Sequence, residues 1–139
     1  MTAKMATKSE TLALQTDEDV LCVRQRVRVW MVETRFSLLA QTKMVTATSE
    51  LSRNAVVHAG GGSACLELLA NAGHIGMRVT VEDQGPGISD IAQAMKDGFS
   101  TGGSLGLGLG GAKRLVNEFS VRSETGRGTC VSITTWKQP

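Results

Sequence analysis

The sequence predicts an α+β two-layer sandwich, a mixed and mostly antiparallel sheet covered on one face by helices. Two long stretches repeat apolar residues at helical spacing, Val20-Val23-Val27-Met31 and Ala40-Met44-Ala47-Leu51-Ala55. Two pairs of strand-like segments are each joined by a short turn, so strands come in hairpin-linked runs instead of alternating one by one with helices. Helices in such an order must all cover one face of the sheet. A chain of 139 residues with 41% hydrophobic and 20% charged residues is one ordinary globular domain. Its expected extent is 10–139, after a polar, flexible tail at 1–9.

Each element follows from local chemistry. Glu10 to Gln15 alternates enough for a short edge strand. Thr16 then offers a capping hydroxyl, and Asp17, Glu18 and Asp19 put carboxylates at the positive end of a helix that runs to about Arg35. A second helix spans about Ser37 to Ala59 and stops at Gly60-Gly61-Gly62. Ser63 to Leu69 reads as a strand, Asn71 to Gly73 as a turn, and Ile75 to Asp83 as a strand with its apolar side chains at odd positions. From Gln84 to Gly108 no period holds, apart from a short helical stretch near 91–96, and long irregular segments of this kind are usually functional loops. A third helix starts near Gly110 and carries Ala112, Leu115, Val116 and Phe119. Strands at Ser120 to Glu124 and Gly128 to Trp136 close the chain through Thr125-Gly126-Arg127.

Composition narrows the function. A net charge of +2 is too small for attraction to a phosphate backbone to dominate binding, so nucleic acid is not an expected partner. The longest uncharged stretch, Gly98 to Ala112, is studded with glycine and shorter than a bilayer span, and Lys4, Lys8 and Glu10 interrupt any signal-like start. No membrane association and a cytoplasmic location are expected. Cys22, Cys65 and Cys130 form no C-x-x-C pair and read as reduced packing residues. Glycine is the anomaly: 16 residues, concentrated at 60–62, 85–87 and 102–111. Such density marks backbone that bends sharply or approaches something closely.

Four stretches could carry chemistry. Glu50, Asn54 and His58 are spaced by four along the second helix, and Glu50 and Asn54 border its apolar stripe, where they would look into a cleft. Asp83 shares the parity of Val79 and Val81 and so faces inward at the end of its strand. Either backbone donors satisfy it, as in an Asx turn, or the N–H groups of a ligand do. Gly85-Pro86-Gly87 keeps side chains off that rim. Ser100 to Gly111 is a glycine-rich run feeding a helix with Lys113 and Arg114 in its first turn, a composition suited to cradling phosphates. Gly106, Gly108 and Gly111 satisfy G-x-G-x-x-G, but no apolar strand precedes them and no βαβ unit surrounds them, so a dinucleotide fingerprint is excluded. No Gly-Lys-Ser/Thr completes a P-loop, and no H-R-D or D-F-G motif accompanies a protein-kinase loop. Finally, Thr129 shares the parity of Val131 and Ile133 and points inward as Asp83 does.

In this order, Glu50-x-x-x-Asn54, Asp83-x-Gly85-Pro86-Gly87, Gly106-Leu107-Gly108-Leu109-Gly110 and Gly128-Thr129 resemble the Bergerat ATP-binding fold of gyrase, Hsp90, MutL and histidine kinases. The likeness covers about residues 10–137 and leaves no room for the dimerisation or phosphoacceptor domain of a histidine kinase, so a stand-alone member is expected. Ser49 to Asn54, Glu82 to Ile88, Asp97-Gly98-Phe99-Ser100-Thr101, Lys113-Arg114-Leu115 and Glu118-Phe119 look especially like the RsbT-type serine/threonine kinases of bacterial stress signalling.

The resemblance implies ATP and Mg²⁺ as cofactors. Asn54 would coordinate the Mg²⁺, Asp83 would accept the adenine amino group, and Thr129 would support that contact. Gly85, Gly87 and Thr101 would line the nucleotide site, and Gly106, Gly108 and Gly110 would hold the phosphates. Glu50 would be the general base toward a protein hydroxyl. Val57 stands where many histidine kinases have Lys, and His58 is given no catalytic role. No cation lies between Lys96 and Lys113, so a γ-phosphate would be stabilised by the metal, backbone N–H groups, Lys113 or Arg114. The implied partners are STAS-domain antagonist proteins and a PP2C-type phosphatase, or, in an anti-sigma variant, a sigma factor. Arg24, Arg28 and Arg35 offer a docking flank, the other reading being a solvated basic face.

Overall fold

In a computed structural model of the chain, the structure describes residues 5–85 and 108–138. Strand β1 (Met5–Leu14) leads into helices α1 (Asp17–Glu33) and α2 (Leu38–Ala59). The hairpin β2 (Gly62–Asn71) and β3 (His74–Asp83), a short helix α3 (Gly108–Arg114), and the hairpin β4 (Glu118–Glu124) and β5 (Gly128–Trp136) follow. The five strands lie in the order β1-β2-β3-β5-β4, with every pairing antiparallel.

The caps act as the sequence suggests. Thr16 Oγ1 accepts from the Asp19 backbone at 3.2 Å while Asp19 Oδ2 accepts from the Thr16 backbone at 3.1 Å, a reciprocal capping box. Ser37 caps α2 through the Ala40 N–H, and Gly60, at φ 73°, closes it in the left-handed conformation. Val20, Val23, Val27, Trp30 and Met31 from α1 and Met44, Ala47, Leu51 and Ala55 from α2 pack on Ala64, Leu66, Met77, Val79, Val81, Val131 and Ile133 of the sheet. Burying these side chains supplies the main driving force, about 1.5–3 kcal/mol for each large one before chain entropy is subtracted.

Several boundaries differ from expectation. The first strand has ten residues and starts at Met5, so residues 5–9 belong to β1 and not to a tail. Its register is dictated by β2, not by its own weak pattern, with a bulge between Ala6 and Lys8. Helix α1 ends at Glu33, two residues short of Arg35: Arg35 takes φ 63°, and the Phe36 N–H bonds the Met31 carbonyl at 2.9 Å as its ring enters the core. The third helix starts at Gly108 and stops at Arg114. Leu115 and Val116 follow it, and Phe119 lies in β4 opposite Ile133, because the ladder with β5 begins already at Glu118. The stretch near 91–96, Gly87, Thr101 and Gly106 lie outside the described residues.

The cysteines do not pack in the core. Cys22 is exposed, while Cys65 and Cys130 are half-buried, and all three are free thiols. By register Cys65 and Cys130 stand on the sheet face away from the helices, where Glu67 Oε1 accepts from Arg78 Nε at 2.9 Å. That hydrogen bond raises the Arg78 pKa above its ordinary value.

Candidate functional site

At the end of the sheet where β3 finishes, the register aligns Gly62, Asp83, Thr129 and Ser123 in one row across β2, β3, β5 and β4. The row lies on the helix-covered face, continuing the core rows Ala64-Val81-Val131-Val121 and Leu66-Val79-Ile133-Phe119. The inward parity of Asp83 and Thr129 therefore matches the sequence reading. Their backbones are also squeezed together. A Cβ on Gly62 would stand 2.0 Å from the Glu82 carbonyl, and one on Gly128, at φ 98°, would stand 2.1 Å from that of Asp83. No other residue fits these two positions.

Asp83 Oδ1 accepts from the Gly85 N–H at 2.9 Å and from the Thr129 N–H at 3.2 Å. Backbone donors thus satisfy one carboxylate oxygen, and both of these bonds fall on Oδ1. Thr129 Oγ1 lies 2.9 Å from Ser123 Oγ, which itself donates to the Gly128 carbonyl at 3.1 Å. A carbonyl can only accept, and Ser123 has one proton, so the Thr129 hydroxyl donates to Ser123 and keeps its own lone pairs for a further donor. Sequence reasoning missed Ser123. The alternation that placed Thr129 would also have found it, since Phe119, Val121 and Ser123 share one parity.

Gly85 sits against the end of α2: a Cβ there would lie 2.4 Å from that of Ala59. Within that helix Asn54 is six residues before the cap, about 9 Å along the axis from Gly60. Asn54 is half-buried, whereas Glu50, one turn earlier, is only 1% exposed. The expectation that Glu50 opens into a cleft is corrected accordingly, because the carboxylate is enclosed. Helix α2 packs on the sheet, on α1 and on α3. By the helical wheel, Glu50 and Asn54 lie on the flank of α2 away from Gln41, which meets Arg28 of α1. The small residues of α3, Gly110, Gly111 and Ala112, are buried and allow it to come close.

Glu50 Oε2 has no hydrogen-bond partner among the described residues, nor have the buried hydroxyls of Thr48 and Ser52. A buried carboxylate oxygen left open costs several kcal/mol, roughly, unless something completes it. Gly108 and Gly110 fall inside α3, not in a loop, as its first and third residues. Arg24 and Arg28 are half-buried between the helices, with Arg28 Nη1 3.4 Å from Gln41 Oε1, so of the three arginines only Arg35 is fully exposed. Among the described residues no three His, Cys, Asp or Glu side chains cluster as a metal site. A Mg²⁺ ion held mainly by phosphates and water needs only one or two protein oxygens, and the carboxamide oxygen of half-buried Asn54 fits that donor set. No helix among the described residues is long and apolar enough to cross a membrane.

Comparison with known proteins agrees with this arrangement. Residues 40–139 match the family profile described as histidine kinase-, DNA gyrase B- and HSP90-like ATPase. Over 123 residues the chain is 44% identical to the serine/threonine-protein kinase RsbT of Bacillus subtilis, covering 88% of this chain and 92% of that one. A crystal structure of the RsbU and RsbW domains of a Mycobacterium tuberculosis protein superposes with a TM-score of 0.67 at 25% identity. That superposition covers 96% of this chain and 34% of the longer one. A sheet row that fixes one aspartate and a helix flank that buries one open glutamate thus occur in a chain that belongs to the histidine kinase-, DNA gyrase B- and HSP90-like ATPase family, and within it to the RsbT-type serine/threonine protein kinases.

Proposed function

We propose that this kinase transfers the γ-phosphoryl group of ATP to a Ser or Thr hydroxyl of a STAS-domain antagonist protein, and that its release from that partner frees it to bind a PP2C-type phosphatase. The cytoplasm is the compartment this reading requires. Asp83 accepts the adenine amino group, with Thr129 supporting the contact through the lone pairs that Ser123 leaves open. Gly85 and Gly87 let the base approach, and Thr101, Gly106, Gly108 and Gly110 line the phosphate side. Asn54 holds Mg²⁺, which when bound neutralises phosphate charge.

Glu50 takes the proton of the substrate hydroxyl as its oxygen bonds the γ-phosphorus, the bond to the β–γ bridging oxygen breaks, and ADP leaves. The observation that carries this reading is the enclosed Glu50 carboxylate, one oxygen open, one helical turn from Asn54. Burial keeps water from competing for that oxygen, and helix α2 fixes its distance from the metal ligand.

Glu50→Gln should lower single-turnover transfer of label from ATP to a cognate STAS protein by about 100-fold or more, while ADP affinity measured calorimetrically stays within about twofold. Transfer at the original rate would remove Glu50 from its role. The likeness to an RsbW domain favours a second reading, nucleotide-controlled sequestration of a sigma factor. Co-purification of a sigma factor, with no labelled STAS protein, would select it.

A further inference from the structure

The chain path gives the molecule two dissimilar ends. Strand β1 runs toward the row containing Asp83, α1 runs back, and α2 returns, so the α1–α2 turn and the first residues of β1 and β3 all lie at the far end. Along α2 alone, Leu39 is about 22 Å from Asn54. Eight large apolar side chains are markedly exposed among the described residues, and six of them are here: Met5, Val29, Val32, Leu38, Leu39 and Ile75. By the helical wheel Val29, Val32, Leu38 and Leu39 all point away from the sheet about the α1–α2 turn, whereas Met5 and Ile75 lie on the sheet itself; single exposed apolar residues need no explanation, but four about one turn do. Leu38 and Leu39 open α2 at 71% and 64% exposure. Neither serves the core, and the Ser37 cap would form as well with polar residues there. Met5 and Ile75 both pair with Ala70, so they extend the helix-covered face of the sheet beyond the end of the helices.

Charge selects the occupant. Arg35, Lys43 and Lys137 are exposed or half-buried cations at this end, while of its acids Glu33 lies 3.8 Å from Lys8 and Glu118 accepts from Trp136 Nε1. Two copies meeting about a two-fold axis would set these cations against each other. A surface with apolar residues at its centre and carboxylates at its margin would be complementary in both respects. We propose that this end docks an amphipathic helix of a partner protein, apolar along its contact stripe and acidic at its edges, and that it does so while the nucleotide site at the opposite end is occupied. The inference goes beyond the kinase reading and does not depend on it.

The test uses the full-length ¹⁵N-labelled chain and a synthetic amphipathic peptide of about 18 residues with a leucine stripe flanked by Glu, against the same peptide with Lys in place of Glu. The Glu peptide should shift amides within residues 28–43 and bind at least about tenfold more tightly than the Lys peptide. Leu38→Ser with Leu39→Ser should weaken it about tenfold. Arg35→Glu with Lys43→Glu should reverse the preference between peptides, with ADP affinity unchanged. Shifts confined to the Asp83 row, equal affinity for both peptides, or a dimer in sedimentation that the Leu38 and Leu39 changes dissolve would each overturn the proposal. Loss of ADP binding by the unmodified chain would defeat the kinase reading and leave this result standing.

Discussion

The row at the end of the sheet and the flank of α2 handle buried polarity in opposite ways. Along the row, Asp83 Oδ1, the Thr129 hydroxyl and the Ser123 hydroxyl each have a partner within 3.2 Å. On the helix, Glu50 is more deeply buried and keeps one oxygen without any among the described residues. A satisfied network rigidifies, whereas an open one destabilises the empty protein until a ligand completes it. On the proposed reading, the row that receives the base is built in advance, and the flank that carries the chemistry trades stability for it.

Substitutions can break this contrast, and the largest effect on folding is expected at Gly128. An alanine there combines φ 98° with a Cβ 2.1 Å from the Asp83 carbonyl, and should cost about 3–4 kcal/mol in urea unfolding. Gly73→Ala, at φ 84° with nothing within 4 Å, is the control and should cost only about 1 kcal/mol. Asp83→Ala leaves the Gly85 and Thr129 N–H groups without their acceptor, and should lose about 2–3 kcal/mol of stability together with measurable ADP binding.

Glu50→Leu should act with the opposite sign. Exchanging the open carboxylate for an apolar side chain should stabilise the nucleotide-free protein by about 1–2 kcal/mol while abolishing transfer, and a loss of stability would mean that Glu50 is satisfied after all. The smallest effect belongs to Thr129→Val, which removes one hydroxyl from the chain to Ser123 and should cost about 1 kcal/mol in denaturation.

Most of the fold was legible because its signals are local. Thr16 with Asp19 announces α1, Gly60 ends α2, and the alternation in β3 and β5 assigns Asp83 and Thr129 to the inner face before any pairing is known. What was not legible depends on partners distant in sequence. Residues Met5 to Ser9 are exposed and show no apolar alternation, and only the ladder with β2 makes them a strand. Phe119 suits either a helix or a strand, and the Ile133 pairing decides it. For the site, spacing brought Glu50 and Asn54 to one flank but did not give the depth of Glu50, and α3, which packs on α2, is a glycine-rich segment whose own sequence gives little reason to expect a helix.

The bulge in β1 has a bearing on how the molecule keeps its independence. An outermost strand of ten residues could recruit a neighbour and lengthen the sheet indefinitely. The kink between Ala6 and Lys8 interrupts its free hydrogen-bonding edge, and Lys8 and Glu10 set charges along the same stretch, each already paired inward with α1. Extension of the sheet across that border is thereby disfavoured by the strand's own kink and charges.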